Sequence, residues 1–380
     1  MKILVGLSGG VDSAIAAYLL KQQGHDVACA FMRNWDASLN NDILGNPTIN
    51  NDICPQETDY NDALAVAEIL GLKLYRIDFI KEYWDNVFET FLKEYQAGRT
   101  PNPDILCNKY IKFNSFLKFA EDLGYPYIAT GHYAKIEKID GENCLLKADD
   151  LNKDQSYFLC QISKDVLDKI VFPLANINKK TVRDLAKKLN LSIAEKKDST
   201  GICFIGERNF KAFLQNYLPA QVGNIVDIDN NRVIGSHNGV LYYTIGQRKG
   251  LSIGGPGGPW FVIGKDVLKN ILYVAEKEDN LWLLSDSCLV SDVNWLNSQR
   301  PKACNAKFRY RQKDHAVILE YLSETQLLVH YPQKIAGVTP GQEAVFYLGD
   351  LCLAGGVIME VYHQGMSLND RIKGAIDVSI

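Results

Sequence analysis

A chain of 380 residues has room for two or three domains, and 47% hydrophobic residues can supply cores for them. No apolar run reaches the length of a membrane span, and Met1 leads straight into strand-type residues without a signal-peptide pattern; the expectation is a soluble, cytoplasmic protein with no membrane partner. The formal charge of -4 weighs against a uniformly basic nucleic-acid binder, and nine cysteines, odd in number and scattered without a CxxC or HxxxH pair, argue against a disulfide framework and a zinc site.

The first element is a buried-type strand over 2–5 that breaks into Gly6-Leu7-Ser8-Gly9-Gly10-Val11-Asp12-Ser13 and opens a helix near Asp12. Such a turn is a phosphate cradle. Gly9 and Gly10 let the backbone approach an anion, the amides converge on it, and the positive end of the helix favours negative charge there. Ser8 and Ser13 add hydroxyls. No lysine follows the glycines, so the loop is not of the GxxxxGK[ST] kind.

A second strand follows over 27–32, then an Asn- and Asp-rich stretch over 34–56 that reads as a long surface insertion. A helix over 59–70, a strand over 72–77, a helix over 109–123 and a strand over 127–130 continue the alternation. This β-α order indicates an α/β fold with a doubly wound parallel sheet, whose ligands sit beyond the carboxyl ends of the strands, where the 8–13 loop, Met32 and Gly131-His132 fall. A last helix over 208–217 gives way to short strands and turn residues. Beyond Leu281, alternation over 308–311, 316–321, 327–331 and 344–347 suggests a small antiparallel barrel. The chain therefore divides into a catalytic α/β domain (1–205), a small central α+β domain (206–280) and a C-terminal antiparallel β-barrel (281–380). In the barrel, Arg300, Lys302, Lys307, Arg309, Arg311 and Lys313 face only Asp314, a local basic run on an acidic protein.

Most of the cysteines read as small buried hydrophobes, but two stand apart. Cys107 follows Gly98-Arg99-Thr100-Pro101-Asn102-Pro103-Asp104 in a stiffened loop just ahead of a helix, where Arg99 or Lys109 and the helix terminus are expected to lower its pKa. Cys203 lies in a second polar, Gly-containing loop with Lys196 and Lys197 upstream. Together with the phosphate loop they suggest paired thiol chemistry.

The SGGxDS string resembles the pyrophosphate loop of the ATP-pyrophosphatase group, which splits ATP into AMP and pyrophosphate to activate a carbonyl oxygen. With residues 99–108, Ala129-Thr130-Gly131-His132-Tyr133, residues 153–159, residues 199–205 and Tyr243-Thr244-Ile245-Gly246-Gln247-Arg248-Lys249-Gly250, the chain resembles the bacterial tRNA-specific 2-thiouridylases, the MnmA family, essentially end to end. The resemblance implies ATP-dependent 2-thiolation of the wobble uridine (U34) of tRNAs for Glu, Gln and Lys, through an adenylated uracil and a cysteine persulfide. It implies ATP and Mg2+ as cofactors, and as partners the tRNA and a cysteine desulfurase or sulfur-relay protein that donates the persulfide.

By the same resemblance Cys203 carries the persulfide, Cys107 is the nucleophile that releases or resolves it, and Asp104 accepts a hydrogen bond or proton from the base. Gly6, Leu7, Ser8, Gly9, Gly10, Val11, Asp12, Ser13, Met32 and Gly131 match nucleotide contacts. Asn102, Pro103, Asp104, His132, Lys153, Asp154, Gln155, Arg311, Gln312 and Gln342 match tRNA contacts, and no residue is assigned to a resident metal. Two other readings share the loop: an ATP-dependent amidotransferase or ligase acting on a small metabolite, and a non-catalytic nucleotide- or RNA-binding module.

Overall fold

Strands buried on both faces by crossover helices pair in parallel. The computed structural model describes every residue except 52–53, 199–200, 204, 207, 256, 278 and 378–380. Ser199, Thr200 and Phe204 of the Cys203 string therefore lie outside the described residues. Strands β1 (Lys2–Gly6), β2 (Asp26–Arg33), β3 (Leu74–Asp78) and β4 (Tyr127–Ala129), with the short strand Ile170–Val171, form one parallel sheet in the order β3-β2-β1-β4 and then 170–171. Ile3, Leu4 and Val5 at its centre are fully buried. Helix α1 (Val11–Gln22) lays Ala14, Ala16 and Ala17 against the sheet. The strand order reverses between β1 and β4, and a crevice opens beyond their carboxyl ends.

Two helices begin earlier than the sequence reading placed them. Helix α2 runs Pro55–Leu70, opened by a proline whose missing N–H costs nothing in a first turn and closed by Gly71 at φ 60°. The helix read as 109–123 starts at Pro103, capped by the Asn102 side chain accepting from the Asp104 N–H at 3.2 Å. It continues through a π-helical stretch, Asn108–Ser115, to Phe116–Asp122. Cys107 thus lies inside a helix rather than in a loop ahead of one.

The 34–56 insertion is more than a surface loop. Trp35 and Asp42 are buried, the Trp35 Nε1–H donates to Asp42 at 3.0 Å, and Arg208 pairs with the same carboxylate at 2.8 Å. Asn216 Nδ2 donates to the Leu44 carbonyl at 3.0 Å, tying the insertion to the end of helix Phe210–Gln215, the core of the helix expected over 208–217.

The central region is a four-stranded sheet ordered 260–266, 271–276, 222–227, 232–238. The C-terminal region closes a six-stranded antiparallel barrel, in which strand Leu284–Trp295 pairs with both Leu327–Ala336 and Leu351–His363. A hairpin from the first half of the chain, Lys135–Ile139 and Glu142–Leu146, meets the barrel at Leu146–Leu351. The strand expected over 308–311 is instead a turn between Ala303–Lys307 and His315–Tyr321. Arg311 takes φ 66° there, and Gln312 Oε1 accepts from the Phe308 N–H at 2.9 Å. Among the described residues no helix is long and apolar enough to cross a membrane.

Candidate active site

A cavity of about 320 Å3 fills the crevice where the strand order reverses. Its walls come from the loop after β1 (Gly6, Ser8, Asp12, Ser13), the end of β2 (Phe31, Met32), the loop after β4 (Thr130, Gly131, His132), Asp59 of α2, Lys112, Gln155 and the segment around Cys203. Close approach of backbone dictates the glycines. Gly9 sits at φ 73°, and a Cβ there would lie 2.3 Å from the Asp59 carbonyl oxygen. At Gly131 a Cβ would lie 2.6 Å from the Ser13 nitrogen.

The loop is braced by the Ser8 N–H donating to Ser13 Oγ at 3.1 Å and by the Ser13 hydroxyl donating to the Gly10 carbonyl at 3.0 Å. Gly10 caps α1 without a side-chain bond, so no cap side chain competes for the first-turn amides beside the crevice. Leu7 and Val11, matched by resemblance to nucleotide contacts, have buried side chains, and the Leu7 N–H donates to the Ala30 carbonyl at 2.9 Å.

Lys179, which the sequence reading missed, organises the rim together with Lys153, matched there to a tRNA contact, and Lys196. Lys179 Nζ reaches both Asp12 oxygens at 2.7 Å, and the Tyr133 hydroxyl donates to the same carboxylate at 2.9 Å. Lys179, Lys153 and Arg183 converge on Asp198 at 2.7, 2.8 and 2.9 Å. Burial alone would raise the Asp198 pKa, but Lys153 and Lys179 hold it down at about 2. Lys196, read only as a residue upstream of Cys203, donates to the Gly9 carbonyl at 3.0 Å and pairs with Asp59 and Asp62 at 2.7 and 2.6 Å.

The two singled-out cysteines meet. Cys107 Sγ donates to Cys203 Sγ at 4.0 Å. Asp104 Oδ1 accepts from the Cys203 N–H at 3.0 Å, and the Tyr83 hydroxyl donates to the Cys203 carbonyl at 2.9 Å, so the segment is held from both sides. Complete burial pushes the Cys107 thiol well up, the reverse of the lowering expected for it. The lowered thiol is Cys203: the hydrogen bond from Cys107 favours its thiolate, burial opposes this, and the Lys112 charge adds to the lowering. Neither cation expected near Cys107 plays that part. Arg99 is bound to Glu94 at 2.5 Å and Lys109 to Gln161 at 3.1 Å. Burial raises the Asp104 carboxyl, partly offset by the Cys203 N–H and Lys112. His132, buried and beside Lys112, is held well below the usual imidazole range and bonds Thr130 Oγ1 at 2.7 Å. Of the seven cysteines not singled out, six are buried and Cys54 is exposed; Cys107 is buried as well, and Cys203 is half-buried.

The residues matched to tRNA contacts do not gather in one place. His132 and Gln155 line the cavity, while Asn102 and Pro103 open the helix that carries Asp104 and Cys107. The Asp154 carboxylate is buried and accepts from the Ala148 and Ser156 N–H groups and the Ser156 hydroxyl. Gln342 uses its Nε2 on the Thr100 carbonyl at 2.7 Å, joining the barrel to the 99–104 segment. Arg311 is exposed on the barrel turn, with its guanidinium 5.4 Å from the Tyr310 ring centroid. The basic run is not one track, because Arg309 is largely enclosed and donates to the Ile245 carbonyl and Thr339 Oγ1 at 2.9 and 2.6 Å, and Lys307 faces Asp314 at 3.7 Å.

Fold and site together define an α/β protein whose anion-type loop shares one crevice with Cys203, backed by the buried Cys107. Residues 1–207 match the model of the tRNA methyl transferase HUP domain, 211–276 that of the tRNA methyl transferase PRC-barrel domain and 285–358 that of the aminomethyltransferase beta-barrel domain. The tRNA-specific 2-thiouridylase MnmA of Mycoplasma capricolum subsp. capricolum is 56% identical over 370 residues, 95% of this chain and 99% of that protein. The proteins of the same name from Mesoplasma florum and Geobacillus thermodenitrificans are 54% and 51% identical, over 94% and 97% of this chain and 98% and 97% of their own lengths. The chain belongs to the tRNA-specific 2-thiouridylase (MnmA) family.

Proposed function

We propose that this protein transfers sulfur to C2 of the wobble uridine in tRNAs for Glu, Gln and Lys, with ATP cleaved to AMP and pyrophosphate. The observation that carries the reading is the shared cavity: the 8–13 loop forms one wall and Cys203, 4.0 Å from Cys107, another. The family models are described by methyl transfer and the relatives by thiolation. A pair of opposed thiols, one lowered and one raised, suits the handling of sulfur. An amidotransferase or a non-catalytic module would share the loop and leave that pair without a role.

ATP fits the residues present. The α1 N-terminus with Gly9, Gly10, Ser8 and Ser13 would receive phosphate, and Met32 and Gly131 would wall the adenosine. Asp12 and Asp59 offer the one or two carboxylates that Mg2+ takes when phosphates supply its other ligands. Bound there, Mg-ATP supplies an adenylate as leaving group for the uracil O2, otherwise a poor one.

The chain's own residues do the rest. Asp104, with its raised pKa, is suited to take a proton from the base while anchoring the Cys203 backbone. Cys203 carries the persulfide received from a cysteine desulfurase or sulfur-relay protein; its terminal sulfur bonds to C2 as the C2–O2 bond breaks, the oxygen leaving with AMP and the electron pair. The Cys107 sulfur, giving up its proton, then bonds to the Cys203 sulfur. The persulfide S–S bond breaks with its electron pair on the sulfur now at C2, and a Cys107–Cys203 disulfide remains for an external dithiol to reduce. If Cys107 attacks before transfer, sulfide is released and the same disulfide forms. A transient disulfide of this kind suits the reducing cytoplasm proposed as its compartment.

Mass spectrometry of tRNA nucleosides from a strain lacking the protein tests the reading. Loss of 2-thiouridine derivatives is expected; normal levels contradict it.

A further inference from the structure

Between the α-helical segments Pro103–Cys107 and Phe116–Asp122 the chain winds as a π-helix over Asn108–Ser115. In an unbroken α-helix the residue stacked one turn beyond Cys107 is Ile111, four positions on. A π turn moves that place five positions on, to Lys112. The difference decides which side chain joins the thiols. Ile111 is fully buried in the apolar core, while Lys112 enters the cavity wall beside His132 and Cys203. It is the one lysine or arginine among the described residues that line the cavity.

The groups around this ammonium come from four elements. Asp104 and Cys107 lie on its own helix. Cys203 lines the same cavity as Lys112 and stands 4.0 Å from Cys107 of that helix. Tyr83, on helix Ile80–Tyr83, holds the Cys203 carbonyl, and His132 after β4 is kept neutral. Burial acts against the Lys112 charge, but Cys203, Cys107 and Asp104 outweigh it, so the lysine remains protonated.

We propose that Lys112 is the fixed counter-charge of the Cys203 sulfur, brought over the thiol pair by the π-helical register and holding that sulfur as a thiolate whose proton has gone to solvent. The proposal rests on the reading of Cys203 as the sulfur-carrying residue, and it assigns the pair an order. Cys203 is anionic and ready to take sulfur; Cys107, enclosed behind it, stays a protonated donor until its turn. A persulfide on Cys203 would place its own anionic sulfur in the same field.

The test is the rate of iodoacetamide alkylation of Cys203 against pH, followed by mass spectrometry of its peptide in the full chain without tRNA or ATP. In wild type the midpoint is expected below that of an ordinary cysteine thiol. Lys112→Met, close in shape and uncharged, is expected to raise it by about one unit or more, a loss of about tenfold in alkylation rate at neutral pH. Lys112→Arg should keep most of the wild-type reactivity. An unchanged profile in Lys112→Met overturns the proposal. So does a wild-type midpoint at or above the ordinary cysteine value, a result that needs no variant to fold. Because neither tRNA nor ATP is present, failure of the thiolation reading itself would leave this profile untouched and would be seen separately in the nucleoside measurement.

Discussion

The sulfurs of Cys107 and Cys203 stand 4.0 Å apart although 96 positions separate them in the chain. That is about 2 Å beyond an S–S bond, so a modest approach of one segment closes the pair. Asp104, on the helix that carries Cys107, and Tyr83 grip the Cys203 backbone from either side, which ties the second sulfur directly to the element bearing the first.

Cys107→Ser and Cys203→Ser are each expected to abolish tRNA thiolation, because a hydroxyl holds neither a persulfide nor a disulfide at neutral pH. Cys160→Ser and Cys288→Ser are expected to retain it. Neither lies against Cys203: Cys160 packs on Gly355 of the barrel and Cys288 is buried in the barrel core. Nucleoside analysis of tRNA treated with the four variants is the check; thiolation by Cys107→Ser would remove the paired-thiol mechanism.

Asp104→Asn separates the two duties of that residue. The amide oxygen can still accept from the Cys203 N–H, so thermal stability and tRNA binding should stay near wild type. Loss of the proton acceptor should lower the single-turnover thiolation rate about 100-fold or more. A rate within a few-fold of wild type would restrict Asp104 to anchoring.

On the barrel, two arginines two residues apart should behave differently. Arg311→Ala removes an exposed charge and is expected to lower the slope of log tRNA affinity against log salt by about one, without altering ATP affinity. Arg309→Ala leaves the Ile245 carbonyl and Thr339 hydroxyl without their donor, and should cost about 1–3 kcal/mol of stability. Affinities at several salt concentrations and urea unfolding distinguish them, and an unchanged slope for Arg311→Ala would remove that turn from the RNA-binding surface.

Lys265 supplies a pH dependence of stability. Burial pushes it down to about 7, and its nitrogen donates to the Tyr243 carbonyl at 2.8 Å. Between that value and the ordinary lysine pKa the unfolded chain holds a proton that the folded one lacks, so this group makes stability rise with pH across the window; below pH 7 its cost is complete. Lys265→Met should therefore gain most over wild type near pH 6.5 and progressively less toward pH 9.5. Parallel urea midpoints for the two proteins across that range would contradict the assignment.

The loop at 8–13 was legible because its glycines answer to a local backbone demand, and Cys107 and Cys203 were legible through the strings around them. Other features depend on neighbours that local pattern does not reveal. Pro103 behind Asn102 is a helix-start signal, but the prolines at 101 and 103 after Gly98 read equally as a stiff loop. The π register that selects Lys112 over Ile111 leaves no mark in the hydrophobic spacing. Lys179 opens a charged helix like any solvated lysine, and only the fold brings it to Asp12. The turn at 308–314 contains no glycine or proline, which is why Arg309 and Arg311 were read as one strand. By contrast, Asp140-Gly141, with φ of 50° and 89°, carried a standard hairpin signal for 135–146 that went unread.

The most direct measurement incubates the purified protein with unmodified tRNA for Glu, Gln or Lys, Mg-ATP and a persulfide donor, and quantifies nucleosides and nucleotides together. The expected result is 2-thiouridine at the wobble position with one AMP and one pyrophosphate for each sulfur transferred. Formation of ADP and orthophosphate as the tRNA-dependent products, or AMP release without sulfur in the tRNA, would contradict it.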